Sequence, residues 1–198
     1  MIATDPAPHL FWITSRAAGV TALVAASLSV CLGLLMATRL LKRFGSGDLR
    51  VTHETLSLAT IVAIAVHGVS LIGDRYMHPT LIDVSVPFAG SYKPGWTAIG
   101  IISGWALALL GLSYYARLRI VGPDRWRRLH RFTALAWVLG LVHSLGEGTD
   151  AGETWFLVLT GIVVIPAITL LLWRLASGRG NTFRRLIGSY ATRSARAQ

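Results

Sequence analysis

The stretch HRFTALAWVLGLVH, residues 130–143, decides the fold because it places a histidine at each end of an otherwise apolar run. A second stretch, HETLSLATIVAIAVH at residues 53–67, repeats this arrangement with nearly the same spacing. Ionisable side chains are costly inside a hydrocarbon layer, so histidines within apolar segments are candidates for function. Whether these segments cross a membrane therefore decides what the histidines can do.

The composition is that of an integral membrane protein. Apolar residues make up 53% of the 198 residues and charged residues only 14%, and the mean hydropathy is +0.56. Soluble domains are usually about 45–50% apolar and about 25% charged. The only cysteine, Cys31, excludes an internal disulfide, a Cys-rich zinc site and covalent c-type haem attachment. We expect Cys31 to be a packing residue.

Five apolar segments approach the roughly 20 residues that a helix needs to cross the hydrocarbon core. They cover residues 17–38, 53–73, 96–116, 129–146 and 154–175. The fourth is the most polar, and Pro166 is expected to kink the fifth. The sequence therefore predicts an all-α fold, an integral membrane helical bundle with about five transmembrane helices. Residues 1–176 would form this bundle, and residues 177–198 a basic cytoplasmic tail.

Basic residues are concentrated on one side of the predicted membrane. Only Arg16, Arg75 and Lys93, of 19 Lys and Arg residues, fall on the other side, where most acidic residues collect. Because cytoplasmic loops carry an excess of Lys and Arg, the amino terminus is predicted to face out and the carboxy terminus the cytoplasm, in the plasma (inner) membrane. The formal net charge of +10 is thereby explained without nucleic acid. The arginines of the tail are expected to contact anionic membrane lipid.

The ends and connections of the chain add few further signals. The first residues lack a basic start followed by an apolar core, so we expect no removable signal peptide. The loop at residues 74–95 is expected to lie on the outer membrane surface as a lid, and a role for His78 within it stays open. No Gly-rich dinucleotide or phosphate-loop motif is found, so flavin or nicotinamide chemistry is expected only through a partner.

The second and fourth predicted spans cross the membrane in the same direction, because one span separates them. His53 and His130 therefore share the cytoplasmic level, and His67 and His143 share the outer level, about 20 Å away at a rise of about 1.5 Å per residue. Neutral imidazole is a good iron ligand, and a helix bundle can surround the apolar faces of a porphyrin. The pattern predicts two bis-histidine haem sites, stacked along the membrane normal, that carry electrons instead of binding oxygen.

Arginines near these levels are candidate partners for haem propionates. Arg127, Arg128 and Arg131 flank His130 at the cytoplasmic level, and Arg16 is an available cation at the outer level. The positive-inside rule explains the first three equally well.

The spacing of the second histidine pair poses a geometric difficulty. At about 100° per residue, 13 steps leave His143 about 140° away from His130 on an ideal helix. We therefore expect the fourth span to overwind or bend, with Gly140 as the candidate site, or the two haems to be offset around the bundle. Trp137 lies midway and is a candidate bridge between the haem edges, although such a residue more often only packs in a core.

Both histidine-bounded stretches resemble the ferric reductase-like transmembrane superfamily, and so does IGIISGWALALLGLSYYARLRIVGPDRWRRLHRF at residues 99–132. This superfamily includes NADPH oxidases, eukaryotic ferric reductases and the bacterial haem subunit of the periplasmic methionine sulfoxide reductase system, which the last stretch is most similar to. The likeness covers roughly residues 50–175. It implies two non-covalent b-type haems, one held by His53 with His130 and the other by His67 with His143. Unlike many members, the sequence has five predicted spans instead of six and no fused flavin domain.

Three functions are compatible with these patterns. The leading hypothesis is a transmembrane electron-transfer protein, the haem-containing subunit of an oxidoreductase. It would take electrons from a separate cytoplasmic flavoprotein reductase or from quinol, with a bound quinone as an option. The acceptor would be a periplasmic or surface redox protein, ferric iron or oxygen. The alternatives are a non-redox haem or metal transporter with the histidines as transit sites, and a structural subunit with incidental histidines.

Overall fold

The computed structural model describes residues 9–38 and 46–195, and all regular structure within them is helical. The helices are α1 (Leu10–Thr38), α2 (Ser46–Ile72), α3 (Leu81–Ser85), α4 (Pro94–Ala116), α5 (Pro123–His130), α6 (Thr133–Glu147) and α7 (Thr154–Ala195), and a π-helical turn, Arg117–Val121, follows α4. Helices α1, α2, α4 with the start of the π-helical turn, and α7 are long and apolar enough to cross a membrane. The prediction of an all-α membrane bundle is confirmed.

Large apolar side chains cover the outside of this bundle. Val62 and Val69 on α2, Leu109 on α4, and Ile162 and Ile165 on α7 are 62% to 67% exposed. Such a surface would drive association in water, whereas lipid is the solvent that suits it. The protein is therefore a multi-pass membrane protein.

Helix α1 lies at the centre and packs against α2, α6 and α7. Small residues along α1 let the neighbouring backbones approach closely; they include Ala18, Ala22, Ala25 and Ala26. The hydrophobic core lies between α1, α6 and α7 and consists of Leu23, Ala26, Trp137, Leu141, Phe156, Val163, Val164 and Ala167. Helix α2 packs on α1 and more lightly on α4, and it shares no extended interface with α6 in the described residues.

The fourth predicted span, residues 129–146, is divided into α5 and α6 by a turn at residues 131–132. The N–H of Phe132 donates to the carbonyl of Leu129, three residues back, at 2.9 Å. A bond of this kind winds the chain more tightly than an α-helix does, which is the overwinding that the 13-residue spacing requires. The location differs from the prediction, because Gly140 lies inside α6, where it gives Ser103 room. Helix α6 has 15 residues, about 22 Å, so the bundle combines four full-length spans with one shorter helix.

Three other helices extend well beyond their predicted ends. Helix α1 begins at Leu10 instead of residue 17, α2 begins at Ser46 instead of residue 53, and α7 is continuous past Pro166 to Ala195. Residues 177–195 of the predicted tail therefore continue α7, and residues 196–198 lie outside the described residues.

The connection between α2 and α4 folds back against the bundle. Helix α3 begins with a capping box in which Thr80 and Asp83 exchange hydrogen bonds. These hydrogen bonds lower the pKa of the Asp83 carboxyl. The indole N–H of Trp105 in α4 donates to the carbonyl of Ser85 at 2.8 Å, so α3 lies beside α4.

Candidate functional site

The four histidines of the apolar segments form two pairs. The ring centroids of His53 and His130 are 6.2 Å apart with an interplanar angle of 89°, and those of His67 and His143 are 6.4 Å apart with an angle of 73°. A metal held between two imidazoles needs two bonds of about 2 Å plus about half a ring on each side, roughly 6 Å between the centroids. Each pair is therefore spaced to hold one metal between its rings.

The two pairs lie at different depths of the bundle. His53 and His67 are separated by 14 residues of α2, about 20 Å along the helix. Their partners, His130 at the end of α5 and His143 in α6, follow in the same direction. The structure thus brings together the residues that the topology predicts to share a level. We call His53 with His130 the inner pair and His67 with His143 the outer pair, after the predicted orientation.

Helix α1 supports both α2 histidines in the same way. The Nδ1 of His67 lies 2.8 Å from the carbonyl oxygen of Ser15, and the Nδ1 of His53 lies 2.9 Å from that of Ser29. The hydroxyls of these serines lie 3.0 and 3.1 Å from the same nitrogens. Because a carbonyl oxygen only accepts, each Nδ1 carries the hydrogen and donates it. The Nε2 of each ring is then left free to bind a metal.

Two glycines on α1 make room for these rings. A Cβ at Gly19 would lie 3.1 Å from the Nδ1 of His67, and a Cβ at Gly33 would lie 3.2 Å from the Cε1 of His53. Helix α1 thus contains Ser-x-x-x-Gly twice, at residues 15–19 and 29–33, with the copies 14 residues apart. This is the spacing of the α2 histidines on the facing helix. This repeat is not among the predicted site features, although the shared spacing was a usable signal.

Helix α4 supports His143 of the outer pair. The Nδ1–H of His143 donates to the carbonyl of Trp96 at 2.9 Å, and a Cβ at Gly100 would lie 2.5 Å from the same nitrogen. A carboxylate oxygen of Glu147 lies 3.2 Å from this Nδ1, and its other oxygen accepts a hydrogen bond from the Thr97 hydroxyl at 2.8 Å. The Nε2 of His143 is therefore also available to bind a metal, and the Glu147 carboxylate lies beside the Nδ1 on the other side of the ring.

His130 of the inner pair is held by stacking. Its Nδ1 is buried and has no hydrogen-bond partner in the described part of the chain. The ring of Trp126 stacks on it with a centroid distance of 4.7 Å and an interplanar angle of 23°. The Trp126 indole N–H donates to the hydroxyl of Ser113 at 3.1 Å. Trp126 precedes His130 by four residues on α5, and residues four apart on a helix are neighbours. The contact could therefore have been predicted if this segment had been assigned to a helix.

A cavity of about 1290 Å³ opens beside the inner pair. It exceeds the roughly 300–1,000 Å³ of typical small-molecule pockets, so a macrocycle has room. Five arginines line it, namely Arg50, Arg117, Arg127, Arg131 and Arg174. Two of the three predicted propionate partners are thus at the cavity, whereas Arg128 is exposed and is not part of its lining. In the sequence, Arg50, Arg117 and Arg174 stand out only as part of the basic charge that sets the orientation.

Two further predicted site residues have partners within the protein. Arg16 forms a bidentate ion pair with the buried carboxylate of Asp150. Trp137 is 1% exposed in the core and donates its indole N–H to the hydroxyl of Ser27 at 3.0 Å. Propionate binding by Arg16 and bridging by Trp137 stay predictions. His78 lies in the connection between α2 and α3, where it is exposed, and it belongs to neither pair.

The donor set suits a metal that brings most of its own ligands. Within the described residues, no three His, Cys, Asp or Glu side chains converge on one point. A bare zinc ion usually takes four ligands, whereas a porphyrin supplies four nitrogens and leaves two axial positions for imidazoles. Two facing histidines therefore fit a haem better than they fit a bare ion.

A protein-family model described as "Ferric reductase like transmembrane component" matches residues 18–141. This range contains His53, His67 and His130 and ends two residues before His143. No curated protein and no solved structure matches the chain.

Proposed function

The chain belongs to the ferric reductase-like transmembrane family, whose model covers more than half of its residues, and we propose that it carries electrons across a membrane through two bis-histidine b-type haems. The donor would be a cytoplasmic flavoprotein reductase or quinol. The acceptor would be a periplasmic or surface redox protein, ferric iron or oxygen. The plasma (inner) membrane is the proposed location.

The observation that carries this proposal is the spacing within the two imidazole pairs. The ring centroids are 6.2 Å apart in the inner pair and 6.4 Å apart in the outer pair, and the pairs lie at two depths of one bundle. Family membership by itself suggests a transmembrane oxidoreductase core. The histidine pairs suggest, in addition, where the cofactors would be held. Bound haem would supply one-electron chemistry at its iron, and iron held by two imidazoles would pass electrons on, even to oxygen, without binding oxygen itself.

The residues of the chain would hold and orient the cofactors. His53 and His130 would bind the inner iron, and His67 and His143 the outer iron. Hydrogen bonds from Nδ1 fix the ring orientation of three of these histidines, and stacking fixes that of His130. Orienting contacts of this kind are a usual requirement of metal-bound histidine.

The charge distribution supports electron entry on the arginine-lined side. Arg50, Arg117 and Arg174 join Arg127 and Arg131 around the cavity of the inner pair. Several cations around one cavity create a positive potential that attracts anionic groups such as propionates, and it steers an anionic donor to the same side.

Haem content and spectra of the purified protein test the proposal. Protein from haem-replete cells should contain two b-type haems per chain, both reducible by dithionite. His53→Ala and His67→Ala should each lose one haem, whereas His78→Ala, at an exposed histidine outside the pairs, should keep both. A colourless protein, or haem content unchanged in His53→Ala and His67→Ala, would contradict the proposal. Weak, exchangeable binding without fast reduction would favour the transporter.

A further inference from the structure

We propose that Glu147 positions His143 and lowers the reduction potential of the outer haem alone. This inference rests on the proposed function, because it concerns the haem held by the outer pair. It assigns a role to a side chain that neither the sequence pattern nor the family match singles out.

The geometry places a carboxylate next to a prospective iron ligand. Glu147 is the last residue of α6, one turn after His143, and its Oε2 lies 3.2 Å from the Nδ1 of that histidine. Its side chain is only 16% exposed. The hydroxyl of Thr97 donates to Oε1, whereas Oε2 is buried and accepts no aligned hydrogen bond within the described structure.

Local structure alone does not favour a carboxylate here. The carboxyl end of a helix carries partial negative charge, so Glu147 is unfavourable with respect to the dipole of α6. A buried carboxylate oxygen without a hydrogen-bond partner adds a desolvation cost. Positive charge at His143 would offset both costs. Ferric iron bound to His143 would supply such charge through the imidazole ring.

The carboxylate should therefore stabilise the oxidised iron more than the reduced iron. Negative charge beside Nδ1 raises the basicity of the imidazole ligand, and a more basic ligand favours the ferric state. The couple would be a one-electron couple: the outer ferric iron would become ferrous by gaining one electron, which the proposed donor supplies through the inner haem.

The effect should be confined to the outer haem because Glu147 lies at the outer level, about 20 Å from the inner pair, and no carboxylate contacts the Nδ1 of the other three histidines in the described residues. His53 and His67 face the carbonyls and hydroxyls of Ser29 and Ser15. The Nδ1 of His130 has no partner in the described residues. Glu147 thus distinguishes the outer haem electronically from the inner one.

Redox titration of the purified two-haem protein tests this inference. Glu147→Gln keeps the size of the side chain and removes its charge. The equilibrium constant for reduction of the outer haem should rise about tenfold, which is about 59 mV for a one-electron couple. Glu147→Asp should restore part of the difference. His67→Ala, which should keep only the inner haem, identifies the inner potential.

Glu153→Gln is the matched control. Glu153 is an exposed carboxylate near the same end of the bundle, and its replacement should shift neither potential. The inference fails if Glu147→Gln keeps both haems and both potentials, or if it shifts both potentials equally. If the outer haem is released, a larger loss of ferric than of ferrous affinity supports the inference, and equal losses overturn it.

The two proposals fail in different ways. A wild-type protein with two reducible haems and no shift in Glu147→Gln would leave the proposed function standing and refute the role of Glu147. A wild-type protein without haem would refute the proposed function and, with it, this inference.

Discussion

At the scale of single residues, the space beside each histidine matters as much as its hydrogen bond. Gly100 faces the Nδ1 of His143 so closely that an added Cβ would lie 2.5 Å away, inside any normal contact. Gly68, on α2, has no atom near its hypothetical Cβ. The two helical glycines therefore differ in local space, and only the first touches the site.

Gly100→Ala should displace the ring of His143 and weaken the outer haem, by about tenfold or more in affinity, as is usual for groups that orient a metal ligand. Gly68→Ala should keep both haems and be neutral or slightly stabilising, because alanine favours a helix over glycine by about 1 kcal/mol. Haem content and haem transfer to apomyoglobin measure the difference. Equal haem retention in the two variants would contradict this prediction.

The sequence identifies the four histidines as candidate metal ligands, but it does not identify the groups that orient them. The reason is physical. A histidine in an apolar segment stands out because its burial is costly. The carbonyls of Ser15, Ser29 and Trp96 belong to the backbone and leave no trace in the side-chain pattern. Glycine and serine are also common where membrane helices pack, so Gly19 and its neighbours resemble ordinary packing residues.

At the scale of elements, α1 serves the two levels through its repeated Ser-x-x-x-Gly. Ser15 contacts the outer level and Ser29 the inner level, each through a hydroxyl and a carbonyl. Because α1 runs antiparallel to α2, the first serine meets the second histidine. One uninterrupted helix can therefore orient both α2 histidines.

Ser15→Ala should weaken only the outer haem, and Ser29→Ala only the inner haem. Each variant loses a hydroxyl and keeps the carbonyl acceptor, so the affinity should fall by no more than about tenfold, near 1.4 kcal/mol. The measurement is the rate of haem dissociation in each variant. The haem that remains is identified by its reduction potential, and each variant is the control for the other. A reversed assignment, or equal weakening of both haems by each variant, would contradict the repeat.

Element boundaries are predicted less well than element positions. Hydropathy averages over a window and cannot resolve a two-residue turn such as 131–132, which separates α5 from α6. Dihedral angles there stay close to helical, with φ −64° at Arg131 and −72° at Phe132, so no breaker residue marks the change. The need for overwinding, by contrast, follows from the spacing of His130 and His143.

At the scale of the whole molecule, the predicted orientation puts α3 outside and α5 in the cytoplasm. In a Cys31→Ser background, His78→Cys before α3 should react with a membrane-impermeant maleimide in intact cells, because its position is exposed. Asp124→Cys in α5 should react only after permeabilisation, since its side chain is 90% exposed but faces the cytoplasm in this orientation. The opposite labelling pattern would reverse the assignment of donor and acceptor sides.

His53 and His67 are 14 residues apart on α2, and this separation would make electron transfer between the two levels depend on the membrane voltage. On the proposed function, an electron passing between the two levels moves about 20 Å through an insulator about 30 Å thick. A resting voltage of about 100 mV, negative inside, would add roughly 1.5 kcal/mol to the driving force of each outward electron transfer, because the electron moves toward the positive side. Each turnover would carry one negative charge outward and would therefore depolarise the membrane.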